Sequence, residues 1–248
     1  MRKAVIITSA IDVNNHFPLT YSNTRSFFSS KDRLSQTMIS ISCLNNVITT
    51  EDCIYILDAS YQQDHTDHFN FQNNIKFIDI KKYFPDIHAE VTSHPHKTRC
   101  ECQILIAFME KFKEELSGYD MIYKLSGRYF FDTGSSLPES HDSIYFKTPS
   151  QFQWSDDWGL GFLDRRLEQQ DNTLRQYSTV LFGWATRFNN EMLNIFKTIS
   201  NTVIQPGKTN SDMETLIYFF TRPLEAYIIE SNWTIYGWNG TNGEIIKY

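Results

Sequence analysis

The 248-residue chain carries a formal net charge of −6, with 41% hydrophobic and 15% aromatic residues, 19 of them Phe and 13 Tyr. That composition excludes a disordered chain and supplies a sizeable core, and the acidic balance argues against nucleic acid as partner, because such binding rests on clustered Lys and Arg. No apolar run approaches the roughly 20 residues that cross a bilayer, Met1 to Ser9 is too short in its apolar part for a signal peptide, and four cysteines (Cys43, Cys53, Cys100, Cys102) make no disulfide scaffold, so the expected location is cytoplasmic.

Ala4 to Ser9 is a continuous apolar run closed by small polar residues, the pattern of a buried first strand. Ser9 and Asp12 would then stand at the ligand edge of the sheet. Ser30 is the expected cap of a helix from about Lys31 to Asn45, with Leu34, Met38, Ile41 and Leu44 on one face. Arg33 and Gln36 are one helical turn apart and can face the same cleft. Cys53 to Asp58 and Ile75 to Ile80 are the next two strands, the first ending in the carboxylate of Asp58, and the polar spacer between them is a loop or a poor helix. A helix is expected from Thr98 to Leu116, closed by Gly118.

The fourth strand, Met121 to Leu125, lies within Gly118 to Asp132, where a short apolar run breaks and delivers Lys124 and Arg128 beside a glycine. In open α/β sheets ligands sit outside the carboxyl ends of the strands, which makes this tip the expected working centre. Further strands are expected at Ser143 to Lys147, Thr179 to Trp184, Ala226 to Glu230 and Thr234 to Trp238, with helices at Asn189 to Ser200 and Ser211 to Thr221. The fold class is therefore a single α/β, Rossmann-like domain with a mostly parallel central sheet and helices on both faces. Residues 1–132 would be its nucleotide-binding half and 133–248 its acceptor half.

Two apparent motifs fail. Gly207-Lys208-Thr209 lacks the earlier glycine of a phosphate loop, since Thr202 stands there, and Gly159-Leu160-Gly161 lacks the third small residue of a dinucleotide fingerprint. His94, His96, Cys100 and Cys102 hold enough donor atoms for zinc, but Cys100 and Cys102 would point to different sides of a helix. Lys124 and Arg128 admit two readings: surface cations paired with Asp120 or Asp132, or cations that offset charge on a diphosphate lying across the strand ends.

The order of Ala4 to Asp12, the helix bearing Arg33 and Gln36, the segment Tyr119 to Phe131 and the terminal Gly237-Trp238-Asn239-Gly240 with Gly243 resembles small bacterial and viral GT-A-type glycosyltransferases of surface polysaccharide synthesis. The resemblance implies a nucleotide-sugar donor, a glycan or lipid-linked glycan acceptor, and attachment at the inner membrane face as an option for the cytoplasmic chain. It implies donor contacts from Ser9, Asp12, Arg33, Gln36, Asp58, Lys124, Ser126 and Arg128. It also implies a base near the start of a late helix, where Asp212 and Glu214 stand in competition with Asp156. Trp154, Trp158 and Trp184 would contact the acceptor. Where that family usually carries an Asp-x-Asp for a divalent metal, this chain has Ser126-Gly127-Arg128. No cofactor is then required, a metal is not favoured, and Arg128 with Lys124 would take its place. Ser211 followed by acids also reads as ordinary helix capping, and a non-catalytic carbohydrate- or nucleotide-binding protein of the same fold is the alternative reading.

Overall fold

The apolar runs of the first half form strands that lie side by side in one sheet. The computed structural model describes residues 1–19, 22–69, 72–131, 136–153, 173–203, 212–239 and 243–247. Lys3–Ser9 (β1), Cys53–Asp58 (β2), Ile75–Asp79 (β3) and Met121–Ser126 (β4) are joined by parallel pairings of β1 with β2, β1 with β4, and β2 with β3. Residues Ala4 to Ile7 and Ile54 to Leu57 are fully buried, as continuous apolar runs in a two-sided parallel sheet should be.

Tyr129–Phe131 (β5) follows β4 at once, then Ile144–Lys147 (β6), Ser150–Gln153 (β7), Thr173–Gln176 (β8), Leu181–Ala185 (β9), Ile228–Ser231 (β10), Ile235–Trp238 (β11) and Ile245–Lys247 (β12). The seven-stranded central sheet runs β10-β6-β9-β4-β1-β2-β3, with β9 antiparallel to both β4 and β6. The mixed α/β class and the mostly parallel sheet agree with the sequence. A three-stranded antiparallel sheet, β12-β11-β5, and the pair β7-β8 stand apart from it.

Several element boundaries differ from the sequence reading. The first helix, Ser30–Leu44 (α1), is capped by Ser29, whose side chain and that of Asp32 form a reciprocal capping box. Its buried stripe is Gln36, Thr37, Ser40, Ile41 and Leu44, with Leu34 and Met38 only partly covered. The segment after β3 holds two helices that the sequence reading missed, Ile80–Tyr83 (α2) and Pro85–Ser93 (α3), the second with proline in its first turn. The long helix breaks at Phe112 into Lys97–Lys111 (α4) and Lys113–Leu116 (α5). Gly118 is not its left-handed cap, because its φ is not positive, and Ser117 ends α5 in a right-handed conformation. Asn189–Thr202 (α6) and Met213–Phe220 (α7) complete the helices that matter here.

Alternation along the strands places Lys76, Tyr55, Ile6, Lys124, Phe182 and Phe146 in one row across the sheet. Tyr55 meets Phe108 of α4 edge-on at 5.1 Å, and Phe182 lies 6.2 Å from Phe196 of α6, so α4 and α6 cover that face. Trp184, expected at the acceptor, belongs to this core: it is fully buried on β9 and its Nε1 donates to Asn189 at 2.8 Å. It cannot touch an acceptor from there.

Candidate functional site

Strand order fixes where the site must be. From β1 the chain passes to β2 and β3 on one side, then returns to β4 on the other, so the sheet reverses its winding between β1 and β4. Crevices at such a reversal, outside the carboxyl ends of the strands, are where open α/β sheets bind ligands. A cavity of about 340 Å³ opens at that point, lined by Thr8, Ser9 and Ala10 at the end of β1 and by Ser126, Gly127 and Arg128 at the end of β4.

Gly127 lets the two strand tips meet. A Cβ there would lie 3.2 Å from both Ile7 Cγ2 and the Thr8 carbonyl oxygen. Instead the Gly127 amide donates to Thr8 O at 3.0 Å, and Thr37 of α1 donates to Gly127 O at 3.2 Å. This close approach turns the chain and puts Arg128 on the cavity wall.

Four cations line the space: Arg25 is spent on backbone carbonyls, and the other three are Arg33, Lys97 and Arg128. Arg33 comes from α1, anchored by its Nε to the Ala10 carbonyl and by Nη1 to Ser26 Oγ at 3.2 Å. Burial, reinforced by the nearby charge of Arg128, pushes its guanidinium down to about 9, against the pull of Asp58. It remains a cation at neutral pH, held there at a cost. Lys97, in the first turn of α4, is open to the water of the cavity yet densely surrounded by protein, and burial and Arg128 lower its pKa. Among the described residues, no carboxylate lies within ion-pair reach of Arg33, Lys97 or Arg128.

The acids around the cavity are mostly committed elsewhere. Glu101 of α4 pairs with Lys124 and accepts from Thr8 Oγ1 at 3.1 Å. Burial pushes its carboxyl up, but the charges of Lys124 and Lys97 prevail and hold it below the usual range. Asp12 accepts from the amides of Gln62 and Gln63 at 2.9 and 3.3 Å, which clasps one loop to another. Glu214, on the first turn of α7, accepts from Thr179 Oγ1 at 2.5 Å and lines the cavity. Burial and the charge of Asp212 raise its pKa, opposed by Thr179 and Lys97. The cavity thus holds a surplus of positive charge and one carboxyl whose pKa burial raises.

The structure divides the expected donor residues into two groups. Ser9, Asp12, Arg33, Ser126 and Arg128 line the cavity. Lys124 does not: fully buried, it directs its ammonium to Glu101, to Ser126 Oγ at 2.8 Å and to the Thr179 carbonyl at 2.7 Å. Its three donors are used, so it positions Glu101 and Ser126 and is not free to hold a phosphate. Asp58 is also buried, accepting from the Ile11 amide at 3.0 Å and tying the end of β2 to the loop after β1. Burial raises its pKa, and hydrogen bonds from Ser60 and Ile11 moderate the rise. Gln36 is buried away from the lining with its Oε1 unpartnered.

Of the expected bases, Glu214 reaches the cavity, whereas Asp212 caps α7 by accepting from the Thr215 amide at 2.7 Å. Trp154, Asp156 and Trp158 lie outside the described residues. Lys97, Glu101, Arg25 and Asn14 were missed. The signal for the first two was their i,i+4 spacing at the start of α4, which puts both on one face. Arg25 donates to the carbonyls of Phe17 (2.7 Å), Val91 (3.2 Å) and His94, pinning the loop after β1 to the α3–α4 junction. Asn14, only 4% exposed, lines the cavity with its amide nitrogen unpartnered.

Among the described residues, no three His, Cys, Asp or Glu side chains are grouped to share a metal ion. No model of a known protein family matches the sequence, and no curated protein matches it.

Proposed function

We propose that the protein is a glycosyltransferase with a GT-A-type domain, which moves a sugar from a nucleotide-sugar donor to a hydroxyl of a glycan acceptor in surface polysaccharide synthesis. One observation carries this reading: Arg33, Lys97 and Arg128, without carboxylate partners among the described residues, converge on the cavity at the sheet's winding reversal. A diphosphate is an anion of the size and charge to satisfy them, and guanidinium forks suit its oxygens. As the glycosidic bond to the diphosphate breaks, the three cations stabilise the negative charge that develops on the leaving group. Glu214, whose pKa is raised by burial and by the charge of Asp212, receives the proton of the acceptor hydroxyl.

The residues at the diphosphate position do not fit a divalent metal. Arg128 stands where an acid would be needed, Glu101 is paired with Lys124, and Asp12 is held by backbone amides.

The test is release of nucleoside diphosphate from a panel of nucleotide sugars in the presence of oligosaccharide acceptors. Transfer with one donor, abolished by Arg128→Ala in a variant whose circular dichroism is unchanged, supports the reading. Near-normal turnover in that variant would sink it, and donor binding without turnover on any acceptor would identify a non-catalytic binding protein.

A further inference from the structure

The small sheet β12-β11-β5 has two faces with different fates. Its cross-strand row Tyr129, Gly237 and Ile246 looks inward, and Tyr129 and Ile246 line the cavity. Side chains alternate along a strand, so Phe130, Tyr236 and Lys247 form the next row on the outer face, joined there by the pair Trp238 and Ile245. Phe130 lies 6.0 Å from Tyr236 and 5.3 Å from Trp238, a partly covered aromatic group turned away from the core.

The two most exposed large apolar side chains among the described residues stand at or beside β12. Ile245 is 72% exposed, and Phe27, 63% exposed, packs on Gly243 two residues earlier, where a Cβ would come within 2.5 Å of its ring. Single exposed apolar residues are unremarkable, but a contiguous group marks a contact surface.

Charge indicates what the surface contacts. Lys247 lies 5.6 Å from the Tyr236 ring, and its charge, second to burial, lowers the pKa of Lys147 nearby. Among the described residues neither lysine has a carboxylate within ion-pair reach. A second copy placed face to face would bring these lysines against each other, and a lysine on an edge strand opposes strand-to-strand pairing. An apolar tip, aromatic rings and flanking lysines are instead the set that sits at a bilayer interface, with ring bodies and stems in the acyl boundary and cations at anionic headgroups. The overall charge of −6 does not oppose this, because fields are screened over about 8 Å at physiological ionic strength.

We propose that the outer face of this sheet, with Phe27, Trp238, Ile245 and Lys247 at its centre, is a membrane-contact surface that seats the protein on an anionic phospholipid bilayer with the cavity mouth beside it. The proposal stands independently of sugar transfer. Its test is co-sedimentation of the full chain, without nucleotide, with vesicles of phosphatidylcholine alone or mixed with phosphatidylglycerol. The expected result is partition onto the mixed vesicles, reduced at least about tenfold by Ile245→Asp and reduced towards the phosphatidylcholine level by Lys247→Glu. Because Ile245 and Lys247 are exposed, both variants should keep the parent melting temperature. The proposal is overturned if the protein stays in the supernatant with both vesicles or if the variants partition like the parent. It is also overturned if the chain sediments as a dimer without lipid and Ile245→Asp makes it a monomer.

Discussion

Removing Arg128 should have opposite effects on ligand binding and on the empty protein. Arg33 and Lys97 both feel its charge as an unfavourable neighbour. Arg33, a base depressed to about 9 in the fold, costs stability wherever it is charged in both folded and unfolded states, that is below that pH, and the cost fades as pH rises above it. Arg128→Ala relieves part of this crowding, so the melting temperature of the empty protein at pH 7 should hold or rise. With an anion bound the sign reverses, because charge-assisted hydrogen bonds contribute about 1.5–3 kcal/mol, which predicts roughly 10- to 150-fold weaker binding. Calorimetric titration with inorganic pyrophosphate, paired with thermal unfolding, measures both quantities. Unchanged pyrophosphate affinity, or a melting temperature that drops by several degrees, would refute the anion-site reasoning.

Three further outcomes follow. Glu214→Gln should abolish transfer while pyrophosphate still binds; since the raised pKa of Glu214 costs stability once pH climbs through it, the variant should also melt higher at neutral pH, and the parent's rate should rise with pH on a limb above the ordinary carboxylate range. Lys124→Met strands the Glu101 carboxylate and should cost about 3–5 kcal/mol in urea unfolding, largely recovered by adding Glu101→Leu; full stability in the single variant would show that the pair does not matter. Gly237→Ala places a Cβ 2.0 Å from Tyr129 Cδ1, so it should cost about 1–3 kcal/mol by overpacking and weaken pyrophosphate binding through the displaced Tyr129, whereas a neutral result would show that the small sheet yields freely.

The central strands were legible because a two-sided parallel sheet demands uninterrupted apolar runs, and Val5 to Ile7 and Ile54 to Leu57 are such runs. The turn at Gly127 and the reach of Arg128 were legible from the break after Met121 to Leu125. Helix α1 was placed within a residue, but not its buried stripe, because Gln36, Thr37 and Ser40 face inward while Leu34 and Met38 are only partly covered. Lys124 was misread for a deeper reason: its alternation with Ile122 and Ser126 fits a strand end, while the carboxylate that captures it comes from Glu101 on a helix, which local pattern cannot supply. Asp58 shows the same ambiguity, a strand-end acid that accepts from the backbone amide of Ile11 in a neighbouring loop. Lys97 escaped notice because the expected helix begins at Thr98, and a lysine just before a helix looks solvated until the fold brings Arg128 and Glu214 beside it.

The central claim is a diphosphate site held by side-chain cations. Calorimetric titration with a panel of sugar nucleotides in excess EDTA tests it most directly. One-to-one binding of at least one donor, weakened in Arg128→Ala, is the expected result. Binding that appears only when manganese or magnesium is restored, or no binding by any member of the panel, would contradict it.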